Sequence, residues 1–168
     1  MGTVENLSSI KYVKGDLFDH VEGFSGYTII PHIVNNIGAW GSGFVIPLGK
    51  KFPSSKKMYL KHWESFKLGQ VLMVNCAPVY IAHMFAQEGI SSLSTGPHAA
   101  INSKPIRYVA LIKCLEEIRN VVDNSKVPCR IVAPKFGSLR SGGSWAIIEA
   151  LIEEVWAGLD VTIIEFGE

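Results

Sequence analysis

Apolar residues fall along this chain in runs of two kinds. From Tyr27 to Val34 the sequence reads YTIIPHIV, a nearly continuous apolar stretch of the sort that forms a strand covered on both faces. Ile10 to Val13 is a shorter strand stopped by Gly15, and Val71 to Cys76 and Val79 to Phe85 form two more around an Ala77–Pro78 turn. Arg130 to Pro134 and Val161 to Phe166 complete the strands. Elsewhere apolar positions recur at helical spacing. After Tyr108, residues Leu111, Ile112, Leu115, Ile118 and Val122 line one side of a core-facing helix, and Trp145, Ile148, Ile152, Val155, Trp156 and Leu159 do so over 145–159. Ser54 to Phe66 follows Pro53 and sets Lys56, Lys57, Lys61 and Glu64 against Met58, Trp63 and Phe66, which predicts a surface helix. Strands alternating with helices predict a three-layer α/β/α domain around a central mixed, mostly parallel sheet. Ligands of such sheets gather beyond the strand ends, in the loops entering the next helices.

Composition narrows the picture. A chain of 168 residues, 48% of them hydrophobic, is long enough to fold as one domain over 1–168 without a disulfide or a metal. Charged residues make up 18% and the formal net charge is +1, so neither nucleic acid nor an acidic membrane surface is expected as a partner. Cys76, Cys114 and Cys129 are widely spaced and set in apolar sequence, which reads as reduced, packed thiols. MGTVENLSSI lacks the basic-then-apolar pattern of a secretory signal, and no run approaches the ~18 apolar residues of a membrane span. A cytoplasmic location is expected. No Cys/His set has metal-ligand spacing, and His83 and His98 read as a strand and a loop residue. The longest irregular segment, 86–105, is expected to be a functional loop.

Candidate chemistry concentrates in two loops, NNIGAWGSGF after the second strand (35–44) and KFGSLRSGGS before the last helix (135–144). Both are rich in glycine and serine and run from a strand into a helix, so both can offer backbone N–H groups to an anion. A phosphate-bearing ligand between them is the natural expectation. Standard phosphate motifs do not fit: Gly38, Gly41 and Gly43 have the wrong spacing for a dinucleotide fingerprint, and Gly49-Lys50 lacks the upstream glycine and the following Ser or Thr of a Walker loop.

The segments GDLF (15–18), HIVNNIGAWGSGF (32–44), MFAQEGI (84–90) and APKFGSLRSGGSW (133–145), in this order, resemble those of macrodomains, and within them the subgroup that includes ADP-ribose-1''-phosphate phosphatases. The likeness runs over nearly the whole chain. It implies a macrodomain-like fold, an ADP-ribose derivative as ligand and no cofactor. It places Asp16 at the adenine amine, with Leu17 and Phe18 against the base. Gly41, Ser42, Gly43 and Phe44 of the first loop, Gln87, and Gly137, Ser138, Leu139, Arg140, Ser141, Gly142 and Gly143 of the second become ligand contacts. Asn35 falls on the asparagine that holds the distal ribose, and His32 on a histidine proposed to act in catalysis, so that the buried strand ends in the floor of a cleft. Plainer readings stand beside these. Asp16 also suits a helix N-cap, the glycines suit plain turns, and Trp40 either shields the site or packs beneath the loop. His32 by itself suits a core histidine bonded to backbone.

Departures from the family pattern bear on activity. Related hydrolases that cleave ADP-ribose from carboxylates have a lysine after the fourth strand and an aspartate in the second loop, where this chain has Gln87 and Ser141. Close relatives have Gly-Leu where Leu139-Arg140 stands here, and Arg140 either binds a phosphate or faces solvent. Two functional classes follow: a hydrolase acting on the distal end of ADP-ribose, foremost its 1''-phosphate, with ADP-ribosyl or acetyl esters as variants, and a non-catalytic ADP-ribose binding module. His32, with an ordinary pKa near 6.5 suited to proton transfer, discriminates between them.

Overall fold

The computed structural model describes residues 10–41, 43–90, 104–138 and 141–166. Six strands form the sheet: β1 (Ile10–Lys14), β2 (Tyr27–Asn35), β3 (Val71–Cys76), β4 (Val79–Gln87), β5 (Cys129–Pro134) and β6 (Val161–Glu165). Their order is β1-β6-β5-β2-β4-β3, and every neighbouring pair is parallel except the hairpin β3–β4. The helices are α1 (Val45–Lys51), α2 (Pro53–His62), α3 (Tyr108–Asp123) and α4 (Trp145–Val155). This is the expected α/β architecture with a mixed, mostly parallel sheet.

Alternation along the central strands sorts the core into two layers. Ile29 of β2, with Ala82 and Met84 of β4, packs with Leu111, Leu115 and Ile118 of α3 and Ile148 and Ile152 of α4. Ile30 and Val34, with Ile81 and Phe85, pack with Leu48 of α1 and Tyr59 of α2. Each fully buried aliphatic side chain contributes on the order of 2 kcal/mol of transfer energy. In α3 the buried set is Ala110, Leu111, Cys114, Leu115 and Ile118, so Cys114 joins the expected apolar face, and Val122 packs partly buried against the same core.

Three boundaries differ from the sequence expectation. The helix expected over 54–66 starts at Pro53, at the first-turn position that proline favours, and tightens after His62 into a 3-10 turn over Trp63–Ser65. Helix α1 was not expected at all. The last helix stops at Val155, where Trp156 closes the final turn by donating to the Ile152 carbonyl at 2.8 Å. Cys76 and Cys114 are buried, Cys129 is half-buried, and all three are free thiols. No helix among the described residues is long and apolar enough to cross a membrane.

A candidate ligand cleft at the strand ends

The carboxyl ends of β1, β2, β4, β5 and β6 open into one cleft of about 1440 Å³. Its border includes Gly15, Asp16, Leu17 and Phe18 beyond β1, His32 and Asn35 of β2, Gly41, Gly43 and Phe44 of the first loop, and Gln87 of β4. Gly137, Ser138 and Ser141 of the second loop face the same space. Five separated sequence segments are thus brought to one place, as expected for a sheet of this kind. Ser42, Leu139, Arg140 and His98 lie outside the described residues, as does most of the 86–105 loop.

At one end of the cleft, Asp16 is exposed and caps the 3-10 turn Leu17–His20, its Oδ1 accepting from the Phe18 N–H at 2.9 Å. The capping role is therefore realised, and the second carboxylate oxygen is the one open to a ligand. Leu17 is buried in the α1–α2 layer, while the Phe18 ring stacks on Phe44 with centroids 5.9 Å apart and planes 5° from parallel. Phe166, just beyond β6, borders this end of the cleft and is 85% exposed. Sequence reasoning counted it only as the end of a strand. An aromatic side chain directly after the last strand of a parallel sheet was the available signal.

The first loop is stapled by Asn35. Its Oδ1 accepts from the N–H groups of Ile37 (3.1 Å) and Ala39 (3.0 Å), and its Nδ2 donates to the Ala39 carbonyl (2.8 Å). The Tyr59 hydroxyl lies 2.8 Å from both Asn35 oxygens, the carbonyl and the side-chain one. Asn35 thus shapes the loop with the groups expected to hold a ribose, leaving one N–H of Nδ2 toward other partners. Trp40 packs beneath the loop against Tyr59 and His83, at centroid distances of 5.4 and 5.7 Å, which decides between its two readings.

His32 is 2% exposed, and its Nε2 lies 2.7 Å from Nδ1 of His83. Register explains the meeting: His32 and His83 are directly paired across β2 and β4, on the face that carries Ile30, Val34, Ile81 and Phe85. His83, fully buried, is 2.9 Å through Nε2 from the Ser55 carbonyl of α2. Burial disfavours charge on both rings. It holds His32 well below the usual histidine value, with the neighbouring His83 adding to the effect, and pushes His83 down to about 4. Both shifts favour the uncharged rings, so His32 departs from the ordinary histidine value near 6.5. His83 lies in β4, the strand residue it was read to be, and its bond to His32 is what the sequence did not disclose.

The second loop divides. Gly137, Ser138 and Ser141 border the cleft, whereas Gly142 faces a separate depression with Lys104, Ile106 and Tyr108. Gly143 donates its N–H to the Gly137 carbonyl at 2.7 Å, and a Cβ on Gly143 would meet that oxygen at 2.5 Å. Gly142 and Gly143, expected as ligand contacts, thus do not border the cleft. Ser144 N–H, at the start of α4, donates to the Tyr108 hydroxyl (2.8 Å) and so faces protein. Gln87 and Ser141, the two positions where the family's lysine and aspartate were missing, meet each other: Ser141 Oγ donates to Gln87 Oε1 at 2.6 Å. Among the described residues no cluster of side chains has the makings of a metal site.

Fold and cleft together define an α/β protein with a wide cavity at the carboxyl ends of a mostly parallel sheet, bordered by two glycine-rich loops. No family model matches the chain. A crystal structure of a Bacteroides thetaiotaomicron protein superposes with a TM-score of 0.79 at 34% identity, covering 93% of this chain and 99% of that one. A macrodomain protein from Streptomyces coelicolor gives 0.73 at 25% identity, over 95% and 99% of the two chains. The ADP-ribose 1''-phosphate phosphatase of Lodderomyces elongisporus is 25% identical over 154 residues, 88% of this chain and 92% of that protein. The chain belongs to the macrodomain family.

Proposed function

We propose that this chain, acting as one domain, binds ADP-ribose in the cleft and hydrolyses a derivative of its distal ribose, foremost the 1''-phosphate. The observation that carries the reading is the convergence of both glycine-rich loops and five strand ends on one cavity of about 1440 Å³, large enough for a dinucleotide-sized ligand. Adenine lies at the Asp16 end, between the free carboxylate oxygen and the exposed Phe166 ring. The diphosphate runs between the loop of Gly41 and Gly43 and the loop of Gly137 and Ser138, and the distal ribose rests over His32, Asn35 and Gln87. The name of the Lodderomyces relative supports the choice of substrate. Free thiols at Cys76, Cys114 and Cys129 support a cytoplasmic setting.

A second reading, a binder without chemistry, is favoured by one observation: Gln87 and Ser141 satisfy each other where a proton-transferring pair would stand. Calorimetric titration with ADP-ribose tests the first half of the proposal, and phosphate release from ADP-ribose-1''-phosphate tests the second. Binding without release supports the second reading; neither overturns both.

A further inference from the structure

With both rings uncharged, the histidine pair beneath the cleft has only one consistent arrangement of protons. The Ser55 carbonyl can only accept, so Nε2 of His83, 2.9 Å away, carries a hydrogen. A neutral His83 then has a bare Nδ1, which must be the acceptor of the 2.7 Å bond to His32. Nε2 of His32 is therefore the donor, and its own Nδ1 is left with a lone pair. That atom has no hydrogen-bond partner among the described residues, and His32 borders the cleft. Side chains of Trp40 and Phe44, ring centroids 6.1 and 5.7 Å from His32, enclose the rest of the ring.

We propose that His83 is a positioning residue: it fixes His32 as the uncharged Nε2–H tautomer, so that His32 meets the cleft as a hydrogen-bond acceptor through Nδ1 and takes a ligand hydroxyl there. A bare nitrogen lone pair attracts an O–H and repels an ionised oxygen that carries no hydrogen, such as those of a diphosphate diester or of sulfate. The subsite above His32 is thus one for a sugar hydroxyl, with the anionic groups held elsewhere, by the loop backbones. The hydroxyl assignment rests on the ADP-ribose reading; the tautomer does not.

The test uses the whole chain labelled with 15N-histidine, whose ring nitrogens report tautomer and hydrogen bonding directly. Expected is a His32 with Nε2 protonated and Nδ1 bare at pH 7. Its Nδ1 resonance should move upfield on saturation with ADP-ribose and stay in place with inorganic sulfate, which carries no hydrogen at pH 7. His83→Phe should release the single tautomer and weaken ADP-ribose binding about tenfold, the scale of one hydrogen bond. His83→Gln, whose amide supplies one acceptor and one donor, should keep both. An Nδ1–H or doubly protonated His32 in the parent protein overturns the proposal, and that spectrum decides even where His83→Phe does not fold. Sulfate that shifts Nδ1 as ADP-ribose does overturns the hydroxyl assignment. If ADP-ribose fails to bind in calorimetry, the ligand reading falls and takes the hydroxyl with it, while the tautomer result stands or falls on its own spectrum.

Discussion

The two glycine-rich loops look alike as sequence and are built on different physics. In the first, between β2 and α1, one polar side chain, Asn35, holds the turn through three hydrogen bonds to backbone groups of Ile37 and Ala39. At Gly41 no atom of the described residues beyond its chain neighbours lies within 4 Å of a hypothetical Cβ. In the second, the glycines are required by packing. Gly137 has φ +81, and a Cβ there would meet the Cδ1 atoms of Ile106, Ile148 and Ile33 at 2.9, 2.9 and 3.0 Å. A glycine in a cleft is free for a ligand only where the fold does not already use its missing side chain. By that criterion Gly41 is open to a ligand, whereas the missing side chain of Gly137 is already used by the core even though its backbone borders the cleft.

The contrast can be broken most forcefully at Gly137. Gly137→Val adds left-handed strain to overpacking against three isoleucines, and should cost about 3 to 5 kcal/mol in urea unfolding. A loss below about 1 kcal/mol would mean the second loop is as loose as the first. Next comes Asn35→Ala, which orphans two loop N–H groups and strips the Tyr59 hydroxyl of one of its acceptors; the expected loss is about 2 to 3 kcal/mol. If stability is kept and only ADP-ribose affinity falls, Asn35 serves the ligand and not the loop.

Acid sharpens the comparison, because the neutral histidine pair underlies the first loop. His83 has a folded pKa of about 4 against 6.5 unfolded, so above pH 6.5 neither state binds the proton and stability is full. Between 6.5 and 4 the unfolded chain takes the proton and the folded one does not. Stability should therefore fall as pH falls through that window, by on the order of 1 kcal/mol per pH unit, and His83→Gln should flatten the slope. Asp16→Ala removes only the cap of a short turn, with an expected stability cost of about 0.5 to 1 kcal/mol and a clear drop in ADP-ribose affinity. Smallest in stability is Gly41→Val, expected within about 0.5 kcal/mol of the parent, while binding falls at least about tenfold in calorimetry. Unchanged binding would remove the first loop from the ligand site.

The strands and the two long helices were legible because their signal is local: YTIIPHIV can bury both faces of a strand, and Leu111, Leu115 and Ile118 recur on one side of a helix. Helix α1 was not, since VIPLGKK is seven residues with a proline and a glycine and a single buried side chain, Leu48. Among site residues, Asp16, Gly41, Gly43, Gln87 and Ser138 were placed on the cleft by sequence resemblance, and the structure brings them there. His83 escaped because its role depends on which strand lies beside β2. The signal was present in matching alternation, Ile30-His32-Val34 beside Ile81-His83-Phe85, but it becomes visible only once the β2–β4 register is known. The Gly143 contact with the Gly137 carbonyl was not legible, because a glycine that approaches a phosphate and one that approaches a carbonyl are the same letter.

Strand β1 occupies the sheet edge and pairs with β6 alone, Ile10 opposite Val161 and Lys14 opposite Glu165. That ladder joins residues some 150 positions apart, among the most distant contacts a chain of this length can make. Loop closure on that scale slows folding, and an edge strand with one partner cannot dock before that partner does. The order of assembly then has a kinetic corollary. Residues 27 to 134 can reach most of their neighbours while β1 is still waiting, and Asp16, two residues past β1, waits with it. The Asp16 end of the cleft is the last part to mature, so a refolding chain should recover its buried tryptophan environment before it recovers affinity for ADP-ribose.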